Sequence, residues 1–320
     1  MAWVQAGFRD RDERSSHMAR LVLHDAAVAD GRSDSLNTGM SISTSGGKID
    51  WIRPNDDADL TGAEVFDAGG ATIVPALVDS HSHLTGQGGS HLIERLGDPP
   101  DVLKRVARDN ARRLVQAGVL WAIDVGSPAA NGRAISLDIR DELQGKTGQP
   151  YIRAAGTWIA KTGYLSLCVE VDGGDALRRA ALDQLDTGSD LVKIMLDQPP
   201  QGSGAPGCPF TTEDVRRTAE AVHARGARIT AHSTTFDGAR VGAEAGLDSI
   251  QHGMQIDDEI AGVMARNNVA LVSTLSVFAS SMSLATMTNI DHYASEPGGR
   301  ERRSSTREQE LRLPRRNGQA

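Results

Sequence analysis

The chain has 320 residues, 39% of them hydrophobic, and a formal net charge of −8, so it can bury the core of one large domain or two modest ones. The acidic balance argues against a nucleic-acid binder, and no apolar run reaches the roughly 18 residues of a membrane span. Met1–Ser16 lacks the apolar stretch of a secretory signal, and Cys168 and Cys208 show no CxxC spacing, which together point to a reduced, cytoplasmic compartment.

In chain order, residues 1–17 read as an extension. Residues 18–72 carry short alternating runs, such as Leu21-Val22-Leu23 and Ile49-Asp50-Trp51-Ile52, separated by Gly, Asn and Asp. That is the punctuation of an all-β segment. Ile73-Val74-Pro75-Ala76-Leu77-Val78 then reads as a buried strand running into His81-Ser82-His83. From Pro100 the period changes to that of helices alternating with strands. Helices are expected over Pro100–Ala117, Ala134–Leu143, Asp175–Leu185, Thr211–Ala224, Asp237–Ala245 and Asp257–Arg266, several of them stopped by glycine. Thr211 and Asp214 have the spacing of a capping box. Strands are expected at Val119–Ile123, Tyr151–Ala155, Leu191–Met195, Ala227–His232, Asp248–His252 and Val269–Ser273. This alternation means parallel βαβ units. It supplies seven strands, one short of a (β/α)8 barrel. A doubly wound open sheet is the competing architecture, but no glycine-rich phosphate turn follows an early strand.

The polar residues that carry chemistry sit at strand ends, where a barrel collects them. His81 and His83 are two apart, so they share a face with Cα atoms about 6.5 Å apart. Such a pair can grip one divalent metal or can simply hydrogen-bond. His232 and His252 end later strands. Lys193 lies inside an apolar strand, which is costly unless it is paired or neutral. It either meets a carboxylate or, as a neutral amine, captures carbon dioxide to become an anionic carbamate that bridges two cations. His223 reads as a solvated helix residue and His91 as a helix start, while His17, His24 and His292 have no supporting context.

Taken together, Pro75-Ala76-Leu77-Val78-Asp79-Ser80-His81-Ser82-His83, Leu191-Val192-Lys193-Ile194-Met195, Ile229-Thr230-Ala231-His232, Gly246 to Gly253 and Val269 to Leu275 resemble the amidohydrolase superfamily. The branch they most resemble is that of imidazolonepropionase-like and prolidase-type enzymes. The resemblance implies a TIM-type (β/α)8 barrel over residues 73–285 beside a β-sandwich to which residues 18–72 contribute the N-terminal part. It implies that His81 and His83 hold a first metal, that His232 and His252 hold a second, and that a carbamylated Lys193 bridges them. Two zinc ions are the expected pair, with iron or manganese as alternatives. The implied reaction is hydrolysis of a C–N bond in a small amide, cyclic amide or dipeptide through metal-activated hydroxide.

Three departures from the family pattern stand out. Ala76 occupies the place of a usual glycine, and Lys161-Thr162-Gly163-Tyr164 replaces a glycine-glycine-histidine element. The eighth strand, with the aspartate that shuttles a proton to the leaving nitrogen, is missing after Ser276. Residues 286–320 are instead charged and low in apolar content, with seven arginines and three glutamates from Arg300 to Ala320. They are expected to be a divergent, disordered tail. A lost reading frame or a truncation near Asp291 would explain it. The expectation is therefore an incomplete barrel, either of low stability or rescued by assembly into a homo-oligomer, and a hydrolase of impaired activity. The alternative is a catalytically inactive metal-binding homologue.

Overall fold

The computed structural model describes residues 20–88, 91–199 and 206–279. The chain divides into two compact units between Ala76 and Leu77. In the first, β1 (Leu21–Val28), β2 (Asn37–Ser45), β3 (Lys48–Pro54), β4 (Glu64–Asp67) and β5 (Thr72–Ile73) form one sheet. β1 pairs antiparallel with β2 and parallel with β4 and β5. Val22, Ala26, Ala27, Val28 and Ile42 are its buried apolar residues. A sandwich needs two facing sheets, and the described residues of this unit form one.

The second unit runs β6 (Leu77–Ser82), α1 (Leu92–Arg95), α2 (Pro100–Gln116), β7 (Val119–Asp124), the two-residue strands β8 (Ala129–Ala130) and β9 (Arg133–Ala134), and α3 (Ile135–Leu143). It continues with β10 (Tyr151–Ala154), β11 (Ile159–Lys161), β12 (Val169–Val171), α4 (Gly174–Asp186), β13 (Leu191–Met195) and α5 (Thr212–Ala224). β14 (Arg228–Ser233), α6 (Phe236–Ala245), β15 (Ser249–His252), α7 (Asp258–Arg266) and β16 (Ala270–Val272) complete it. β6, β7 and β10 pair parallel, as do β13, β14, β15 and β16. A parallel bridge from Ala155 to Leu191 connects the two sets. Seven strands therefore follow one another side by side. Among the described residues the ring does not close, because β6 and β16 end their sheets.

Helices cover this sheet for the usual reason. Val215, Ala219 and Val222 of α5 recur at i, i+4 and i+7 and are buried against Val192, Ile194 and Ile229. Every residue of β13 is buried, as expected of a parallel strand covered on both faces. Thr211 caps α5 by accepting from the Asp214 amide, while Asp214 accepts from the Thr211 amide, so the capping box forms. Gly246 ends α6 in the left-handed conformation at φ 73°.

Two local expectations need correction. The run from Ile73 to His83 is not one buried strand. Pro75-Ala76 interrupts it, Thr72–Ile73 pairs with β1, and β6 starts only at Leu77. Leu77 and Val78 are more than half exposed because β6 is an edge. The short strands β11 and β12, three residues each, carry no alternation long enough to read. Residues 1–17 and 286–320, assigned above to an extension and a tail, lie outside the described residues.

Candidate functional site

β6 delivers His81 at its end, and His83 follows two residues on. β14 carries His232, and β15 ends on His252. The four imidazoles form one contiguous group. Ring centroids are 5.1 Å apart for His81–His83, 4.9 Å for His81–His252 and 4.5 Å for His232–His252. Lys193, from the middle of β13, is only 2% exposed.

Each ring has one nitrogen already committed. His83 Nδ1 lies 2.8 Å from the Gly126 carbonyl oxygen, and His81 Nδ1 lies 2.6 Å from Gln251 Oε1. Both partners accept, so both rings carry their proton on Nδ1 and leave Nε2 with a free lone pair. The Gln251 amide is oriented for this because its nitrogen donates to Thr230 Oγ1 and Ser249 Oγ. His252 Nδ1 is 2.8 Å from Thr274 Oγ1. His232 is turned the other way, with Nε2 3.1 Å from Asp197 Oδ2, so its Nδ1 is the free nitrogen. A ring tied by one nitrogen and open at the other is how metal-ligating histidines are held.

His252 and Thr274 both have positive φ, at 74° and 48°. A β-branched residue there is strained, so this hydrogen bond holds a strained threonine against His252.

Electrostatics follow burial. Desolvation pushes the His81 and His252 imidazoles well below their ordinary value and His83 down to about 4, with the Lys193 charge acting in the same direction. These rings are neutral at pH 7, the form that ligates a cation. Burial also pulls the Lys193 ammonium down to about 7, although Asp124 opposes this. A sizeable neutral-amine fraction at neutral pH follows. Asp124, fully buried, is raised to about 7 by desolvation against hydrogen bonds from the Leu84 and Gly126 amides. Asp197 would be raised by its burial, but hydrogen bonds from His232 and Thr234 carry it down to about 2.

Asp124, Asp197 and Gln251 are site residues that sequence reasoning missed. Asp124 clamps the His81–His83 segment by accepting the Leu84 amide at 2.9 Å, and it accepts the Gly126 amide at 2.9 Å. Gly126 in turn holds His83. For Asp124 and Asp197 the available signal was an aspartate at or just past the end of an apolar strand. Among the discounted histidines, His223 is 2.9 Å from Asp248 Oδ2, His91 precedes α1, and His24 bonds Ser41 Oγ at 2.9 Å. His17 and His292 lie outside the described residues.

The donor set suits a divalent cation: neutral imidazoles, with an amine able to become an anionic oxygen ligand. Among the described residues, no three His, Cys, Asp or Glu side chains already form a group that could hold a metal. A cavity of about 300 Å³ is lined by Asp79, Ser80 and His81 on one side and by Leu271, Thr274 and Val277 on the other.

Residues 72–303 match the amidohydrolase family. The chain belongs to that family. Similar curated proteins include an uncharacterized protein of Mycobacterium tuberculosis, 31% identical over 221 residues, which are 68% of this chain and 54% of that one. An imidazolonepropionase of Anaeromyxobacter dehalogenans is 26% identical over 299 residues, covering 80% of this chain and 68% of that one. The chain spans about half the length of the first curated relatives it matches. Among solved structures, a Xaa-Pro dipeptidase with bound methionine in the active site superposes with a TM-score of 0.79 at 22% identity, over 92% of this chain and 77% of that one. A prolidase complexed with N-methylphosphonate-L-proline gives 0.72 at 20% identity, over 84% and 70%. These amidohydrolase neighbours carry the fold assignment, a TIM barrel with mixed α/β content. Among the described residues no helix is long and apolar enough to cross a membrane.

Proposed function

We propose that this amidohydrolase is a metal-dependent hydrolase of C–N bonds acting on a small amide, cyclic amide or dipeptide. The observation that carries the reading is the set of four adjacent imidazoles, each fixed through one ring nitrogen and open at the other. His81 and His83 would hold one divalent cation and His232 and His252 a second. Lys193 would bridge them as a carbamate, formed when its neutral amine adds to carbon dioxide with loss of a proton. Zinc is the expected metal, with iron and manganese accepted by the same ligands. Bound cations in such a site polarise a carbonyl and lower the pKa of a water. The chain's own contribution is to fix ring tautomers through Gln251, Gly126, Asp197 and Thr274, and to keep Lys193 dry enough to lose its proton.

The same reading makes residues 73–285 the barrel unit and residues 18–72 part of a β-sandwich. It makes the free edges of β6 and β16 sites of association between copies of the chain. A second reading is a metal-holding homologue without turnover, which fits residues 277–320 carrying no Gly-Thr-Asp stretch. Without a proton-shuttling carboxylate, rate falls on the order of 10²–10⁴-fold.

The test is elemental analysis of the purified chain together with turnover of a panel of dipeptides and cyclic amides. Retained zinc, iron or manganese, turnover abolished by chelation, and loss of bicarbonate dependence in Lys193→Ala are the expected results. Metal without turnover selects the second reading. A chain that takes up no divalent metal at neutral pH overturns both.

A further inference from the structure

Trp158 stands one residue before β11 and is 5% exposed. It packs with Leu96, Ala160, Tyr164 and Met195, and the Val169 amide donates to its carbonyl at 2.8 Å. Packing of that kind asks only for a large apolar ring, which phenylalanine would also supply. What the indole adds is a donor. Its Nε1–H donates to the carbonyl of the fully buried Val125 at 3.1 Å. A carbonyl buried there needs such a partner.

The Val125 carbonyl and the Gly126 amide belong to one planar peptide unit. Trp158 holds the carbonyl end of that unit, and Asp124 Oδ1 holds the amide end at 2.9 Å. A flat unit fixed at both ends leaves only the backbone bonds of Gly126 to turn. The indole closes that freedom too, because it lies directly against Gly126, where a Cβ would collide with Nε1 and Cδ1. The next carbonyl, that of Gly126, accepts from His83 Nδ1 at 2.8 Å. The indole also meets the His83 ring edge-on, centroids 5.4 Å apart at 67°. Trp158 therefore acts on His83 twice, through ring contact and through the peptide that holds its proton. His81 has a separate anchor in Gln251, so the two neighbouring rings are set up independently.

We propose that Trp158 is a positioning residue for His83: its indole pins the Val125–Gly126 peptide, so that the Gly126 carbonyl keeps the His83 proton on Nδ1 and leaves Nε2 to a divalent cation. The inference rests on the metal-site reading above and deepens it by naming the side chain that prepares one of its ligands. Groups that orient a metal-ligating imidazole in this way set its tautomer and its basicity. Without the indole donor the peptide keeps one anchor of two, its carbonyl end can turn, and His83 is free to carry its proton on Nε2.

The test compares the metal-free full chain with Trp158→Phe by long-range proton–nitrogen NMR of histidine-labelled protein. In the wild type both His81 and His83 are expected as Nδ1–H tautomers. In W158F, His83 is expected to populate the Nε2–H form while His81 keeps its own. Zinc should then be held about 10-fold more loosely in competition with a chelator. Leu96→Ala, which thins the same packing without touching the peptide, is the control. It is expected to lower the Tm by several degrees and to leave the His83 tautomer as in wild type. An unchanged His83 tautomer in W158F overturns the proposal, and so does an equal tautomer change in Leu96→Ala. Should W158F fail to fold, the wild type decides. On zinc addition the Trp158 indole N–H resonance is expected to shift together with the His83 signals, and an indole resonance that stays fixed while His83 shifts overturns the proposal. Failure of the metal-site reading shows separately, as a wild type that takes up no zinc, and the tautomer comparison is made without metal.

Discussion

Replacing Gly126 with alanine tests how the wall behind His83 is built. Gly126 has φ +124°, and an added Cβ would stand 2.4 Å from Trp158 Nε1 and 2.6 Å from its Cδ1. The conformation is one that essentially only glycine adopts, at a cost of about 1–3 kcal/mol for any other residue. Overpacking against the indole adds about 1–3 kcal/mol. Moving Trp158 aside breaks its 3.1 Å hydrogen bond to the Val125 carbonyl, a further ~1 kcal/mol. Gly126→Ala is therefore expected to cost about 3–7 kcal/mol, a large part of the stability of an ordinary domain. Gly132→Ala is the control: φ is +78°, but nothing lies within 4 Å of the added Cβ, so only the backbone cost of about 1–2 kcal/mol applies. Urea unfolding followed by tryptophan fluorescence measures both. A shifted midpoint at constant slope is the expected form. If the two variants fall within about 1 kcal/mol of each other, the close approach of Trp158 is not what the fold depends on.

Further outcomes follow from other contacts. Asp190 accepts from the Ala154 amide at 2.9 Å, from Arg140 at 2.6 Å and from Arg153 at 2.8 Å, and its side chain is 16% exposed, so Asp190→Ala should cost about 2–4 kcal/mol in a denaturant melt. Burial alone would raise its carboxyl, but the Ala154 amide and the two arginines hold it below 3.8, so its stabilisation is present above that pH and is lost on further acidification, which Asp190→Asn should flatten in an acid titration. Gln251→Leu removes the acceptor of His81 Nδ1 and should weaken metal retention about 10–100-fold in competition with a chelator. Burial pushes Cys168 and Cys208 up to about 12, so both thiols should react with a disulfide reagent far more slowly at pH 8 in the folded chain than in urea. Because the folded thiols bind their protons more tightly, their stabilisation is complete below pH 9.0 and declines as pH rises towards 12, and a pH series of melts checks the sign.

The sequence was legible where the signal is local. The helix over Thr212–Ala224 is announced by its capping box, its i, i+4, i+7 stripe and Gly226, and β13 by five apolar or aliphatic-stemmed residues in a row. His81, His83, His232 and His252 were legible as candidates because their strand ends were, and Lys193 because a lysine stood inside an apolar strand. What could not be read was the partner of each ring. Gln251 is 170 residues from His81, Gly126 is 43 from His83 and Asp197 is 35 from His232 in the chain, and no periodicity relates them. The break of the first long run at Pro75-Ala76 was misread for a related reason. Local β propensity continued through it, while pairing with β1 took Thr72–Ile73 away from β6.

The hydrogen bonds that fix the imidazoles also join the strands that carry them. Thr274, just past β16, reaches His252 at the end of β15, and Asp197, just past β13, reaches His232 on β14. Gly126, just past β7, reaches His83 beyond β6. Each of these links neighbours in the sheet. His81 to Gln251 is different, because β6 ends one sheet and β15 lies in the other. On its β7 side β6 has a ladder whose register shifts twice, and among the described residues it has no strand on its other side. A 2.6 Å contact from a buried glutamine thus helps to set the position of an edge strand as well as the tautomer of its histidine.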